Sequence, residues 1–277
     1  MEELLALPLS LQLLRRFPLP HKLGLLERIY GKTLGNKGIR WVECSNGVRW
    51  KLDLSDVCQR WIIYGDYEGS RTMNWLRAWL KNGGTVVDSG ANIGQILLYL
   101  APFPNVKFYA VEPLPEAIAW LKECLAAQSS WDVRVITSGL ADQPKEISLQ
   151  CAGAQSTTRL DWYSQKHFEK TFIQVDTFDN LMTKYNEQSI RLWKIDVEGA
   201  EYEALLGARS FLQRHAVDAI FLELIPQNFH RVKEYLRGFG YELFVLESRG
   251  ALTRVASMPN AVVNLIATHQ SNELLKN

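Results

Sequence analysis

Short apolar runs alternate with amphipathic stretches after residue 84, and this alternation constrains the fold more than any other feature of the chain. The stretches between the runs repeat apolar residues at helical spacing, as at Ile118, Leu121 and Leu125. The pattern predicts strands at 85–88, 106–111, 133–137, 190–195, 217–224, 241–247 and 261–267, with helices at 95–100, 115–127, 200–213 and 227–239. Strands and helices in this order form right-handed βαβ units, so we expect a mostly parallel sheet with helices on both faces.

The end of the chain departs from this order. Its last two predicted strands are joined by a loop that contains Arg249-Gly250 and Pro259-Asn260, with no helix between them. Two such strands form a hairpin, and one of them must run against the others. We therefore expect a seven-stranded α/β sheet with one antiparallel strand.

The chain before residue 84 follows another pattern. Residues 1–35 read as helical, and alternating apolar residues around Asn46-Gly47 predict a β-hairpin over 40–54. A further amphipathic helix is predicted over 69–81. We expect an N-terminal helical and hairpin extension over 1–55, followed by the main domain.

The main domain is predicted to span 56–277, and one segment within it breaks the strand–helix order. Residues 144–175 hold short β-like pieces around a polar, aromatic stretch with Trp162, Tyr163 and His167. We expect this segment to be an insertion at the carboxyl edge of the sheet. Its aromatic residues could stack on a sugar ring or form a small core of their own, and His167 could bind substrate or act as a base.

Charge and cysteine content exclude some classes of protein. The chain has 31 Lys and Arg against 30 Asp and Glu, a balance that gives no reason to expect a nucleic-acid partner. The four cysteines, Cys44, Cys58, Cys124 and Cys151, include no CxxC pair, which favours free thiols in a reducing compartment. His215 and His230 fall on predicted helices and read as surface residues.

The Leu-rich N-terminus, from Leu4 to Leu14, is interrupted by Pro8 and followed by Arg15-Arg16. A secretory signal has the opposite charge order, and the run is too short to cross a bilayer. We expect a cytoplasmic protein without an integral membrane segment. Three interpretations of this region remain: it forms a helix packed on the domain, it contacts a membrane surface, or it mediates homodimerisation.

A glycine-containing loop, Asp88-Ser89-Gly90-Ala91-Asn92-Ile93-Gly94, follows the first strand of the alternating region. Ligands of open α/β sheets bind outside the carboxyl ends of the strands, and glycines let the backbone approach them. The loop has neither the GxGxxG spacing of dinucleotide folds nor the Gly-Lys-Ser/Thr of a P-loop. A carboxylate at Asp88 would repel a pyrophosphate but suits the ammonium and sulfonium of S-adenosylmethionine (SAM).

Glu112 ends the next strand, 24 residues after Asp88. An acid at this position can accept both ribose hydroxyls, which supports an adenosine ligand without separating SAM from NAD. The alternative is that Asp88 and Glu112-Pro113 only cap the helices that follow them.

A second group of acids falls at the ends of later strands. Asp196 and Glu223 end two neighbouring strands, while Glu198 and Glu201 lie three residues apart at the start of a helix. Crowding of like charges would raise at least one pKa and give a catalytic base, for which Asp196, Glu198 and Glu223 are the candidates. For Glu201 we favour the interpretation that its charge stabilises the helix N-terminus through the helix dipole. A divalent metal could also be held here, although we expect none.

Several motifs resemble the FkbM-type SAM-dependent methyltransferases over about residues 60–267. They are Val87 to Gly94, Val111-Glu112-Pro113, Val175-Asp176-Thr177-Phe178-Asp179, and Trp193-Lys194-Ile195-Asp196-Val197-Glu198-Gly199-Ala200-Glu201, with Tyr67-Glu68 upstream. The resemblance implies a Rossmann-like class I methyltransferase fold and methyl transfer to a hydroxyl oxygen of a sugar or secondary metabolite. Ser89, where Val or Ile is common, and Leu224, where a polar residue or His is common, depart from the pattern.

The loop motifs and the resemblance together give a set of cofactor-binding candidates, which includes a turn after the third strand expected to lie over the adenine edge. The set is Glu68, Asp88, Ser89, Gly90, Ala91, Asn92, Gly94, Glu112, Pro113, Ser138, Gly139, Leu140 and Asp196. The function we expect is a SAM-dependent O-methyltransferase acting on a small-molecule hydroxyl, such as a natural product or glycoside. The alternatives are an N-methyltransferase, a non-catalytic SAM-binding protein that dimerises, and, more remotely, an NAD oxidoreductase.

Overall fold

The computed structural model describes residues 3–17, 19, 21–44, 46–66, 71–100, 103, 105–128, 131–152, 155–157, 169–246, 252–255 and 263–269. The chain divides into two compact units. The first comprises Met1–Trp79, Gly94–Pro102 and Ala119–Trp131, and the second comprises Leu80–Ile93, Phe103–Ile118 and Asp132–Asn277. The expected division into 1–55 and 56–277 stays a prediction.

The helices, in chain order, are α1 (Leu9–Leu14), α2 (Lys22–Gly35), α3 (Val57–Tyr64), α4 (Arg71–Trp79), α5 (Gln95–Leu100), α6 (Pro115–Ala126), α7 (Phe178–Lys184), α8 (Glu201–Leu206), α9 (Arg209–Gln213) and α10 (Phe229–Arg237). The strands are β1 (Ile39–Glu43), β2 (Arg49–Asp53), β3 (Gly84–Ser89), β4 (Val106–Glu112), β5 (Val133–Thr137), β6 (Gly139–Leu140), β7 (Lys145–Ala152), β8 (Gln155–Thr157), β9 (Glu169–Asp176), β10 (Ile190–Ile195), β11 (Val217–Leu224), β12 (Glu242–Leu246), β13 (Leu252–Arg254) and β14 (Val263–Thr268).

The first unit contains the hairpin predicted around Asn46-Gly47, which is confirmed. Strands β1 and β2 are antiparallel, and the amide of Val48 donates to Asn46 Oδ1 at 3.2 Å in the turn. Helix α3 was not predicted, although Asp56 caps it by accepting a hydrogen bond from the Cys58 amide. A partly buried ion pair between Glu27 and Arg60, with Nη2 to Oε1 at 2.6 Å, ties α2 to α3.

The second unit is built on an eight-stranded sheet in the order β13-β12-β14-β11-β10-β3-β4-β5. Strands β11, β10, β3, β4 and β5 are parallel, and β14 is antiparallel to both β11 and β12. The predicted C-terminal hairpin is therefore confirmed. The eighth strand, β13, lies in the segment predicted as a loop, because three residues are too few to produce a recognisable period.

Residues of the predicted insertion form a separate sheet of four strands together with β6, which precedes the insertion, in the order β6-β9-β7-β8. Strands β7 and β9 are antiparallel, and their inward side chains Leu149, Ile173 and Val175 are buried in a small apolar cluster. The centre of the segment, with Trp162, Tyr163 and His167, lies outside the described residues.

The core of the second unit surrounds β10 and is rich in aromatic side chains. Trp193 is fully buried, with its ring centroid 4.0 Å from that of Phe178. Phe178 begins α7, a helix that was not predicted and that Thr177 caps by accepting from the Asn180 amide. This packing fixes the strand whose carboxyl end carries Asp196.

The helix predicted over 200–213 is interrupted in the structure. Helices α8 and α9 are separated at Gly207, where an added Cβ would lie 2.2 Å from the carbonyl oxygen of Ala141. The helix predicted over 227–239 begins with a 3₁₀ turn at Pro226–Asn228, followed by α10. No helix within the described residues is long and apolar enough to cross a membrane.

Candidate active site

Asp88 lies at the carboxyl end of β3 and is 1% exposed. Strands β3 and β10 are parallel neighbours, and their register sets Asp88 beside Lys194. The Lys194 ammonium lies 2.9 Å from Asp88 Oδ1. Burial raises the pKa of Asp88, and the charge of Lys194 opposes that rise. The carboxylate expected to face a cationic ligand is therefore already half of an ion pair.

Lys194 is one site residue that sequence reasoning missed, although the resemblance motif contains it. Its ammonium also lies 3.5 Å from Asp196 Oδ2 and donates to the carbonyl of Gly90 at 3.2 Å. One buried cation thus joins the glycine loop, the first acid and the end of β10. The signal that could have found it is the pairing of β3 with β10, which sets position 194 beside position 88.

The two loop glycines are required by protein packing, and the expectation that they also let the backbone approach a ligand stays a prediction. Gly90 has φ +74°, and an added Cβ would lie 1.8 Å from the backbone carbonyl of Asp196. Gly94 has φ +86°, and its added Cβ would lie 2.6 Å from Leu121 Cδ1. Both positions need glycine because their backbone is left-handed and their side-chain space is filled.

Glu112 is buried at the end of β4, and each of its carboxylate oxygens accepts a backbone hydrogen bond. Oε2 accepts from the Asn92 amide at 2.8 Å, and Oε1 accepts from the Leu114 amide at 3.0 Å. Burial raises the pKa of Glu112 and the two amide bonds oppose the rise. A carboxylate has about four acceptor sites, so Glu112 can hold the loop and still accept a ligand hydroxyl on each oxygen.

Other cofactor candidates are buried, and the two serines among them make hydrogen bonds within the protein. The Ser89 side chain is fully buried and accepts from Trp193 Nε1 at 2.8 Å, so its hydroxyl joins β3 to β10. The Ser138 hydroxyl donates to the carbonyl of Gly139 at 2.8 Å, and Leu140 is buried in β6.

Three of the remaining candidates are packed against the protein, and one lies outside the described residues. An added Cβ at Gly139 would lie 2.8 Å from Val175 Cγ1, so this glycine is also required by packing. Ala91 is buried, and Pro113 is half-buried after Glu112. Glu68 lies outside the described residues.

The second acidic group follows β10 and β11 at the same carboxyl edge. Asp196 is half-buried, and Glu198 has a left-handed backbone with φ +52°. Although part of Glu198 reaches solvent, protein on its other sides removes water and raises its pKa to about 7, with Asp196 and Glu223 adding repulsion. Burial, followed by repulsion from Asp196, likewise raises the pKa of Glu223 to about 7. Two carboxyl groups in this cluster therefore titrate near neutrality.

Glu201 stabilises the turn before α8. It is buried, its Oε1 accepts from the Gly199 amide at 2.8 Å, and its Oε2 accepts from Asn228 Nδ2 at 3.1 Å. Asn228, which sequence reasoning did not identify, also donates to the Gly199 carbonyl at 3.2 Å. These bonds fix the turn that carries Glu198.

Within the described residues, no group of three or more His, Cys, Asp and Glu side chains is arranged to hold a metal ion. His215 lies apart from the acid cluster, where its Nε2 is 2.9 Å from the Phe239 carbonyl and its ring stacks on His269. His230 is exposed on α10, and His167 lies outside the described residues. The charged side chains described above at the site are carboxylates and Lys194.

The model of the methyltransferase FkbM domain matches residues 88–243, more than half of the 277 residues. This chain belongs to the FkbM methyltransferase family. The match confirms the resemblance seen in the motifs, and with the mostly parallel sheet it confirms the expected class I methyltransferase fold. It also confirms the expectation of a SAM-dependent methyltransferase, with SAM as cofactor.

Solved structures similar to this FkbM-family chain include three methyltransferase-related proteins. An rRNA methylase from Streptococcus thermophilus is 13% identical, with 71% of this chain and 93% of that chain covered and a TM-score of 0.44. TYW2 of M. jannaschii, solved with AdoMet, is 15% identical over 83% and 84% of the chains, with a TM-score of 0.39. Fibrillarin of Aeropyrum pernix, solved with bound S-adenosyl-L-methionine, is 11% identical over 67% and 66%, with a TM-score of 0.40. No curated protein sequence matches this chain.

Proposed function

We propose that this FkbM-family protein methylates a hydroxyl oxygen of a small natural product or glycoside, with a carboxylate as general base. The observation that supports it best is the pair Glu198 and Glu223, whose pKa values are raised to about 7 at the edge where Asp196 ends β10. A base is most effective when its pKa lies near the working pH, because it is then both deprotonated and basic.

The residues present fit SAM by their charge. Asp88 and Glu112 are buried carboxylates, and among the described residues Asp88 Oδ2 accepts no hydrogen bond. We propose that the backbone of Gly90 and Asn92 contacts the cationic amino acid part, that Asp88 contributes its negative charge from beneath the loop, and that Glu112 accepts the ribose hydroxyls. When bound, SAM supplies a methyl group on a cationic sulfur.

The chain's own residues would bind the acceptor and take up its proton. A carboxyl group with a pKa of about 7 is about half ionised at neutral pH, so Glu198 or Glu223 can accept the hydroxyl proton. We assign Asp196 to holding the acceptor. Glu223 lies on a strand and Glu198 in a turn fixed by Glu201 and Asn228, and such support orients the base for in-line attack.

The test is methyl transfer from radiolabelled SAM to a panel of hydroxyl and amine acceptors, with product analysis by mass spectrometry and NMR. Glu198→Gln and Glu223→Gln keep the side-chain shape, and loss of the true base should lower kcat about 10²–10⁴-fold while SAM affinity stays the same. In the wild type, kcat should decrease as the pH falls below about 7. This decrease should be absent from the residual activity of the variant that lacks the base. Unchanged kcat in both single variants and in the double variant would refute the assignment.

An N-methyltransferase is the second candidate, since Asp196, Glu198 and Glu223 would attract a protonated amine. A bound neutral amine needs less help from a base, so Glu198→Gln/Glu223→Gln should keep appreciable activity with an amine acceptor and little with an alcohol. A cytoplasmic location and a role in secondary metabolism stay predictions, as does the absence of a nucleic-acid partner.

A further inference from the structure

The two N-terminal helices and the segment between them expose large apolar side chains. We define the N-terminal apolar surface by the five that are most exposed along residues 3–37. They are Leu9 (78% exposed), Leu13 (59%), Phe17 (56%), Leu25 (44%) and Ile29 (52%). Isolated exposed apolar residues are common, but a group on neighbouring elements marks an interaction surface.

Helical spacing gathers four of these residues on the outer faces of α1 and α2, and Phe17 lies in the segment between the helices. Leu9 and Leu13 are four residues apart, and Leu11, on the other side of α1, is fully buried. Leu25 and Ile29 are likewise four residues apart on α2. Each helix therefore turns one apolar stripe inward and leaves a second stripe exposed.

A hydrogen bond shows that α1 and α2 are neighbours. The Tyr30 hydroxyl donates to Ser10 Oγ at 2.7 Å, and these two residues directly follow Ile29 and Leu9 in the chain. The outer stripes of the two helices can therefore meet the same flat partner.

The segment that carries this surface also carries exposed basic residues. Exposed basic side chains along the segment are Arg16, Arg28, Lys32, Lys37 and Arg40. Arg28 and Lys32 each follow an exposed apolar residue of α2 by three positions, so they lie on the same stripe. In the described part of residues 3–40, Glu3 is the one exposed acid, while Glu27 is held by Arg60.

The local charge contrasts with the balance of the whole chain. Residues 1–40 contain 7 Lys and Arg against 3 Glu, a net charge of +4, whereas the complete chain has a net charge of +1. Apolar side chains flanked by Lys and Arg are the composition that binds anionic bilayers, since the apolar groups enter the acyl boundary and the cations contact lipid phosphates.

We propose that the N-terminal apolar surface docks this protein on the surface of an anionic phospholipid bilayer. A second copy of the chain fits less well, because a symmetric dimer would bring the same surface and its basic residues together. Helix α1 has 6 residues and α2 has 14, so both would lie along the bilayer rather than cross it.

The test is cosedimentation of the full-length protein with vesicles of phosphatidylcholine containing 30% phosphatidylserine, with pure phosphatidylcholine vesicles as the reference. We expect binding to the anionic vesicles that weakens at least tenfold between 0.15 M and 0.5 M NaCl. The variant Leu9→Gln/Leu13→Gln/Ile29→Gln should weaken it at least tenfold, and so should Arg28→Glu/Lys32→Glu. Circular dichroism and SAM affinity establish that both variants are folded.

Matched controls lie elsewhere on the molecule. Phe172→Gln removes a side chain that is 66% exposed, and Lys122→Glu/Lys184→Glu reverses two exposed charges, so both should bind vesicles like the wild type. Equal losses in the controls would overturn the proposal, as would failure of the wild type to sediment with anionic vesicles. A concentration-dependent dimer in analytical ultracentrifugation, abolished by the same apolar variant without vesicle binding by the wild type, would assign the surface to a second copy instead.

Discussion

Replacing Lys194 by Met should destabilise the protein by about 3–5 kcal/mol, the usual cost of leaving one member of a buried ion pair alone. Asp88 sets this magnitude because it is 1% exposed and neither carboxylate oxygen reaches solvent. The contact of Lys194 with Asp196 contributes less, since the Asp196 side chain is 37% exposed and screened by water.

The assay is urea unfolding followed by tryptophan fluorescence. Asp88→Asn/Lys194→Met should recover at least half of the loss, because the double variant leaves no buried charge unpaired. The loss in Lys194→Met should also shrink at low pH. Burial already raises the folded pKa of Asp88, and loss of the cation that opposes this rise lifts it further above the unfolded pKa, so the stability of the variant falls as pH rises between the two. A single variant within about 1 kcal/mol of wild type, with strictly additive effects in the double variant, would refute the reasoning.

Three further predictions concern the same unit and its loop. Glu112→Gln should weaken SAM binding at least tenfold in calorimetry while the protein stays folded, and unchanged affinity would contradict the ribose assignment. Gly90→Ala should abolish soluble expression or cost more than about 3 kcal/mol, whereas the control Gly47→Ala, also at positive φ but with nothing within 4 Å, should cost about 1–2 kcal/mol in thermal unfolding. Glu187→Gln should remove stability that the wild type has at neutral pH and loses as pH falls below the unfolded pKa. Burial raises the pKa of Glu187, but hydrogen bonds led by that of Lys107 outweigh this effect and hold the pKa below its usual value. The difference in Tm between wild type and variant should therefore shrink from pH 7 to pH 3, and a constant difference would contradict this.

Features that depend on neighbouring residues in the chain were predictable. The Asn46-Gly47 hairpin follows from turn chemistry, and the strands and helices after residue 84 follow from their periods. The position of Asp88 and Glu112 at one edge of the sheet also follows from sequence, because both end parallel strands.

Features that depend on pairing between distant segments were not. The ion pair of Lys194 with Asp88 joins residues 106 positions apart, and only the register of β10 against β3 brings them together. The clash that makes Gly90 obligatory comes from the carbonyl of Asp196, and the bond that fixes Glu201 comes from Asn228. The sequence by itself determined the class of fold, the family and the acids of the site, because these are written in local spacing and motif. Tertiary structure alone decided which of those acids are neutralised, which are held by amides, and which titrate near neutrality, because solvation and charge depend on what packs around them.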